Sequence, residues 1–232
     1  MDTSVRICSF HLFKKSSERK TATLLLRTGQ KIKIRLSNIF DLGSVLEVFQ
    51  RKIYTPKIFR IPDKATIVDI GASIGDFSIF CVSSFSNCNC YALEPDRSAY
   101  DLCTENVLLN NMNNRIRIYP LAVSDQCNEI KTGDNVHKSV SMEKLFNENS
   151  IDKCDLLKMD IEGAEYKTLL NTPLEILQRV NAIAMECHIF DNVEQLSALK
   201  GYLSESNLQV ITTEITAHNI CYLYAYRKEV AI

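Results

Sequence analysis

The sequence predicts an α/β fold: a doubly wound, mostly parallel seven-stranded sheet with a C-terminal antiparallel hairpin, preceded by an N-terminal β-hairpin and a helix. From residue 65 onward, short runs rich in Val, Ile and Leu alternate with helix-length polar segments. That alternation is the pattern of parallel strands buried on both faces and joined by right-handed crossovers. The last two runs are separated only by Thr216 to Ile220, too little chain for a parallel crossover, so they must be antiparallel.

The elements follow in order. Residues 21–36, TATLLLRTGQKIKIRL, read as two strands around Thr28-Gly29-Gln30, where Gly supplies the positive φ of a tight hairpin. Ser37 or Asn38 can start a helix over Asp41 to Tyr54, with Leu42, Val45, Leu46 and Phe49 at helical spacing and Pro56 ending it. Then come the strand ATIVDIG, a helix from Asp76 to Ser84, the strand NCYALEPD, a helix from Ser98 to Asn111 and the strand RIRIYPLAV. A variable polar stretch through His137 precedes a short helix near Met142 to Phe146. The strand CDLLKMDI, a helix from Ala164 to Leu170, the strand NAIAMECHI and a helix from Val193 to Ser206 lead to the closing strands LQVITTEI and CYLYAYRK.

At 232 residues the chain suits one core, with residues 1–60 as a hairpin and covering helix in the same unit as residues 61–232. An apolar fraction of 46% and a charged fraction of 24% are those of a globular protein and argue against disorder. The nine cysteines form no C-x-x-C pair, which argues against a zinc site and for reduced thiols used as small hydrophobes. No secretory signal and no transmembrane run is visible, so a cytoplasmic location is expected. Residues 1–60 hold thirteen Lys or Arg against four acids, and the remainder fourteen against twenty-four. Such asymmetry fits a solvated basic face or a surface that receives an anionic partner.

The most informative stretch is Val68 to Phe77, VDIGASIGDF, which ends a strand and opens a helix. Glycines there let the backbone turn sharply and approach a ligand. A dinucleotide fingerprint, G-x-G-x-x-G, would need glycine where Ser73 and Asp76 stand. Asp76 would also put negative charge where a pyrophosphate should sit, which argues against a nicotinamide cofactor. Glu94, in YALEPD at the next strand end, is placed to accept both hydroxyls of a ribose. Together the turn and Glu94 imply an adenosine-containing ligand at the carboxyl edge of the sheet.

The segments VDIGASIGDFS, YALEPD, ENVLLNNMNNRIRIYPLAVSD and DLLKMDIEGAEYKTL followed by AMECHI resemble the FkbM-type methyltransferases, over roughly residues 38–226. Ser73 stands where that family usually has Asn. The resemblance implies the class I, Rossmann-like methyltransferase fold, S-adenosylmethionine as cofactor, and methyl transfer to oxygen on a sugar, glycolipid or other small metabolite. Asp69 and Asp76 would favour the ammonium and sulfonium charges of that donor. The candidate donor contacts on this reading are Asp69, Gly71, Ala72, Ser73 and Gly75 in the turn, Asp76 and Phe77 in the helix, then Glu94, Pro95, Asp125 and Tyr54. The helix carrying Tyr54 is expected to close the site, and the basic first segment to receive an anionic part of the acceptor.

Asp160 and Glu162 alternate along a strand end and share a face, and Glu186 and His188 do the same on the next strand. Such groups can take a proton from a hydroxyl, hold a hard cation or cap a helix. His188 beside Glu186 is the expected base, since its ordinary pKa lies near neutrality. Glu165 reads as an exposed or capping residue. Metal-dependent catechol-type methyltransferases use acids after the fourth strand and an Asp-Asn pair after the fifth, so Asp160, Asp191 and Asn192 are the set a magnesium ion would take. A nucleic-acid methyltransferase is the alternative enzyme, argued against by the lack of an N/D-P-P-Y/F motif. A non-catalytic binding protein of the same fold is the alternative outside enzymes.

Overall fold

The computed structural model describes residues 9–10, 20–125, 127–132, 135–189 and 193–232. The chain opens with a small antiparallel sheet of β1 (Ser9–Phe10), β2 (Thr21–Leu25) and β3 (Lys31–Arg35). Leu24, Ile32 and Ile34 point inward and are buried, as the alternation of the hairpin requires. Gly29 turns the hairpin at φ +95°.

Helix α1 (Ile39–Leu46) is capped by Asn38, whose side chain accepts from the Phe40 N–H, and runs into a π-helical turn, Glu47–Arg51. Lys52 then adopts φ +55°, a left-handed conformation that ends the helix before Pro56 is reached. Tyr54 therefore sits on the connecting segment and not on the helix, contrary to the sequence reading. That segment is held by the Tyr224 hydroxyl, which donates to the Ile53 carbonyl at 2.9 Å.

The alternating region follows: β4 (Thr66–Ile70), α2 (Asp76–Ser84), β5 (Asn89–Leu93), α3 (Arg97–Leu109) and β6 (Ile116–Tyr119). RIRIYPLAV is not one strand. Pro120 has no N–H for a ladder, and beyond it β7 (Ala122–Val123) leaves the main sheet to pair with β9 (Asn135–Val140), which also pairs with β8 (Glu129–Thr132). The polar stretch before His137 thus holds a hairpin whose weak apolar alternation hid it. Next come α4 (Met142–Glu148), β10 (Leu156–Met159), α5 (Glu165–Leu170), the short α6 (Leu174–Leu177), β11 (Ala182–His188), α7 (Val193–Glu205), β12 (Gln209–Thr212) and β13 (Ile220–Tyr226).

The main sheet has seven strands in the order β12-β13-β11-β10-β4-β5-β6. Its first five strands in the chain are parallel, and β13 runs antiparallel between β11 and β12. An apolar core covers each face. One packs Phe146, Tyr166, Leu177 and Leu203 from α4–α7, and the other packs Ile79 and Val107 from α2 and α3 with Leu24 and Ile32 of the N-terminal sheet. Helix α2 is buried nearly all round because the sheet lies on one side and α1 with its π-helical turn on the other, where Phe49 of that turn meets Phe80 edge-to-face at 5.4 Å. Among the described residues seven cysteines are buried and Cys127 is exposed, and burial raises the thiol pKa of Cys81, Cys90 and Cys103. No helix among the described residues is long and apolar enough to cross a membrane.

Candidate active site

Strand order reverses between β4 and β10. Chain leaving these neighbours goes to opposite faces, which opens a crevice at their carboxyl ends, the place where ligands bind in open α/β sheets. Two cavities lie there. One, about 500 Å³, is walled by α1, the turn after β4 and the ends of β10 and β11. The other, about 670 Å³, is walled by the β8–β9 hairpin, Pro95, Asp125 and the start of α5. Both are bordered by Gly71, Glu94, Asp96, Asp160 and Glu162, so they adjoin across the sheet edge.

The turn after β4 explains its glycines. A Cβ on Gly71, at φ +76°, would lie 1.8 Å from the Asp160 carbonyl oxygen, and one on Gly75, at φ +82°, 2.7 Å from the Cys103 sulfur. Both glycines thus admit close protein neighbours, where the sequence reading has them admit a ligand. Ala72 and Ser73 face the smaller cavity. Ser73 is held at φ +48°, and its N–H donates to Glu94 Oε2 at 2.8 Å. The Asp96 N–H donates to Glu94 Oε1 at 2.8 Å, while Asp96 itself caps α3 through the Ala99 N–H. Glu94 is thereby fixed in one orientation with lone pairs left for a ligand, and burial raises its pKa. Asp76, in the first turn of α2, accepts from the Ser44 hydroxyl at 2.7 Å, and burial pushes its pKa up to about 6.

Beneath the turn lies a buried cation. Lys158 Nζ donates to the Gly71 carbonyl at 2.5 Å, pairs with Asp69 at 3.3 Å and stands 5.3 Å from the centroid of the Tyr54 ring. Burial opposes its charge, but Asp69, Asp160 and Asp76 outweigh burial and raise its pKa. Asp69 also accepts from the Ser78 hydroxyl at 2.6 Å and is 0% exposed. It lines neither cavity, so the sequence reading of Asp69 as a direct donor contact is corrected to a partner of Lys158. The Tyr54 hydroxyl donates to Asp160 Oδ2 at 3.1 Å, and burial raises its pKa so that it stays a neutral donor. Phe77 packs edge-to-face on the Tyr54 ring at 5.5 Å.

Carboxylates surround His188. Its Nδ1 lies 3.0 Å from Glu165 Oε1, and its Nε2 lies 3.4 Å from Glu162 and 3.6 Å from Glu186. The hydrogen bond to Glu165 leads the causes that raise its pKa to about 9. An imidazole with that pKa is protonated at neutral pH, so the expected base is a fixed cation. Glu165, read from sequence as exposed or capping, is 0% exposed and also accepts from the Ile161 and Gly163 N–H groups at 3.1 Å each. It caps the turn after β10, in which Glu162 is held at φ +56°. Glu186 lines the smaller cavity, and burial first, then Asp160, raises its pKa to about 7.

The structure thus brings Tyr54, Ala72, Ser73, Asp76, Phe77, Glu94, Asp160, Glu162 and Glu186 to one cavity and Pro95 and Asp125 to its neighbour, where Asp125 pairs with Lys167 at 3.1 Å. Gly75 and His188 stand behind those walls, and Asp191 and Asn192 lie outside the described residues. Asp160, Glu165 and His188 offer atoms within 4.8 Å of one another that could hold a metal ion. Occupancy would require His188 to lose its proton, because the imidazolium already supplies the cluster's positive charge. Sequence reasoning missed the roles of Lys158, Glu165, Ser44 and Glu47. A lysine inside an apolar strand was the visible signal for Lys158; Ser44 on α1, and Glu47 on the π-helical turn where it lines the smaller cavity, carried none beyond their place there.

The sheet order, the antiparallel closing hairpin and the switch-point cleft define a class I, Rossmann-like methyltransferase fold. Residues 69–211 match the family model described as a methyltransferase FkbM domain, and the chain belongs to that family. Among curated relatives, the hexuronic acid methyltransferase AglP of Haloferax volcanii is 27% identical over 165 residues, 65% of this chain and 65% of AglP. The chain thus spans about two thirds of that relative's length. A solved methyltransferase FkbM from Methylobacillus flagellatus superposes with a TM-score of 0.59 at 20% identity, over 75% of this chain and 46% of that one. TYW2 of P. horikoshii, solved in complex with MeSAdo, superposes with a TM-score of 0.52 at 12% identity, over 89% of this chain and 70% of that one.

The His188 pKa has a consequence for stability. Because its folded value, about 9, exceeds the ordinary imidazole value of 6.5, the stabilisation is fully present below pH 6.5 and is lost as pH rises through 9. Urea unfolding should find His188→Gln less stable than the natural protein by up to about 3 kcal/mol near pH 6, with the deficit shrinking towards pH 9.5. A deficit that does not change over this range would show that no imidazolium is held there.

Proposed function

We propose that the protein transfers a methyl group from S-adenosylmethionine to a hydroxyl of a small acceptor of the sugar class. One observation carries this reading: two cavities adjoin at Gly71, Glu94, Asp160 and Glu162 along the carboxyl edge of a methyltransferase-family sheet. The donor set suits a positively charged amino-acid ligand, because Asp76, Glu47, Asp160 and Glu186 line the smaller cavity. Its one buried cation, Lys158, is already engaged by Asp69 and the Gly71 carbonyl.

Glu94 would take the ribose hydroxyls with its remaining lone pairs. Pro95 and Asp125 would border the base, and Ser73, Asp76 and Tyr54 the amino-acid end. When bound, S-adenosylmethionine supplies a methyl group on a sulfonium, open to direct displacement by an aligned nucleophile. The protein's own task is then alignment, exclusion of water and removal of one proton. Glu186 suits the last step, since a base with a pKa near 7 is both ionised and basic at neutral pH. The His188–Glu165 pair orients the neighbouring carboxylates without exchanging protons. Carboxylate walls favour an uncharged hydroxyl at the reacting position. AglP, named for a hexuronic acid, supports a sugar-type acceptor.

A screen of neutral sugars, uronic acids, glycolipids and small hydroxylated metabolites with labelled donor, with and without divalent ions, tests the assignment. Label should appear as a methyl ether; incorporation only into methyl esters, amines or nucleic acid would overturn it. By calorimetry, Glu94→Ala should weaken donor binding about tenfold or more, the cost of losing hydrogen bonds to a charged group. Unchanged affinity would remove Glu94 from the ribose role. Turnover should climb with pH to a plateau above about 7, because Glu186 must be ionised. Glu186→Gln should cut kcat roughly 10²–10⁴-fold and abolish that rise, and a variant keeping both would exclude it as the base.

A further inference from the structure

Among the described residues, strand β3 pairs with β2 along one edge only. Its other edge would leave backbone groups unpaired, a liability for any edge strand. Three side chains take the bonds that a neighbouring strand would make. Asn110 accepts from the Lys31 N–H at 2.9 Å and donates to the Lys31 carbonyl at 2.7 Å. Asn106, one helical turn earlier on α3, accepts from the Lys33 N–H at 2.6 Å and donates to the Lys33 carbonyl at 2.9 Å. Asp41 accepts from the Arg35 N–H at 2.7 Å.

Each amide nitrogen has a second proton. That of Asn110 stays within α3, on the Asn106 carbonyl at 2.8 Å, whereas that of Asn106 goes to the Ile74 carbonyl at 2.9 Å. Ile74 sits between Ser73, at φ +48°, and Gly75, at φ +82°, in the turn that forms the cleft floor. Asn106 and Ile74 are both 0% exposed, so water cannot replace this bond. The peptide that follows Ile74 is thereby oriented by the same amide that holds Lys33. Ser73, immediately before it, gives its N–H to Glu94.

We propose that Asn106 is a positioning residue for the donor turn, and that docking of the N-terminal hairpin and binding of the donor are coupled through this one amide. The hairpin is then part of the donor site as well as a neighbour of α3. The coupling rests on the reading of the cleft as an S-adenosylmethionine site. By linkage it is reciprocal: a ligand that orders the turn also tightens β3 on α3.

S-adenosylhomocysteine, the demethylated product, is the probe, with calorimetry as the readout. Asn106→Asp preserves shape and the acceptor for Lys33 but removes both donated bonds. Its dissociation constant should rise about tenfold or more, as for loss of a buried bond at the site. Asn110→Asp makes the same chemical change one turn along: it loses the bonds to the Lys31 and Asn106 carbonyls and leaves the Asn106–Ile74 bond in place. It should lower Tm and leave affinity within about twofold, inside the range of a neutral substitution. Equal affinity in natural protein and Asn106→Asp would overturn the coupling alone, whereas a natural protein that binds no S-adenosylhomocysteine would overturn the donor reading as well. Should Asn106→Asp not fold, residue-resolved amide exchange of the natural protein decides. Ligand should slow the Lys33 N–H and not the Lys31 N–H; an equal effect on both, or on neither, refutes the proposal.

Discussion

A single buried ammonium holds the site together. Lys158 comes from the fourth parallel strand and reaches under the turn after β4, where it binds the Gly71 carbonyl and Asp69. Burying a charge is costly unless paired and hydrogen-bonded, and removing one member of such a pair costs about 3–5 kcal/mol. The pair therefore ties β4 to β10 at the switch point, where no crossover helix closes the gap. The ring of Tyr54 covers the ammonium and its hydroxyl reaches Asp160, so the lysine also locates the segment that walls the smaller cavity.

Around this cation the turn is assembled by mutual constraint. Gly71 has no room for a side chain because the Asp160 carbonyl fills it, and Gly75 has none because Cys103 does. Ser73 and Glu162 hold left-handed backbone conformations that L residues adopt at a cost, and each is secured by carboxylates that bind adjoining N–H groups: Glu94 for the first, Glu165 for the second. Strain of this kind persists where surrounding contacts over-determine it. The result is a rigid edge with few degrees of freedom for a ligand to order, the condition for holding reacting atoms in line.

The four acids near β10 and β11 divide their roles by environment. Glu165, fully buried, spends its charge on His188 and two backbone N–H groups. Glu186, less buried and facing the cavity, is pushed towards neutrality. Two carboxylates on neighbouring elements thus differ in what they can do, because Glu165 is spent on His188 and backbone N–H groups, whereas burial and Asp160 outweigh the pull of His188 on Glu186.

Much of this was legible in the residues. Period and spacing determine the parallel core, the closing antiparallel hairpin and the helix at Asp76–Ser84, because burial on both faces demands continuous apolar runs and a short link forbids a crossover. The turn, Glu94, Asp160 and Glu186 were legible for the same reason: strand ends in such a sheet converge on one edge. Tertiary structure alone decided which of them face the cleft. Asp69 looks like a ligand contact but is claimed by Lys158; His188 looks like a base but is claimed by Glu165; Asn106, within the helix from Ser98 to Asn111, joins β3 to the turn. Each outcome depends on a partner distant in sequence, and hydrogen bonds and charge pairs of this range leave no periodic trace along the chain. Local pattern sets which elements form, and the competition among buried polar groups for partners sets what each one is able to do.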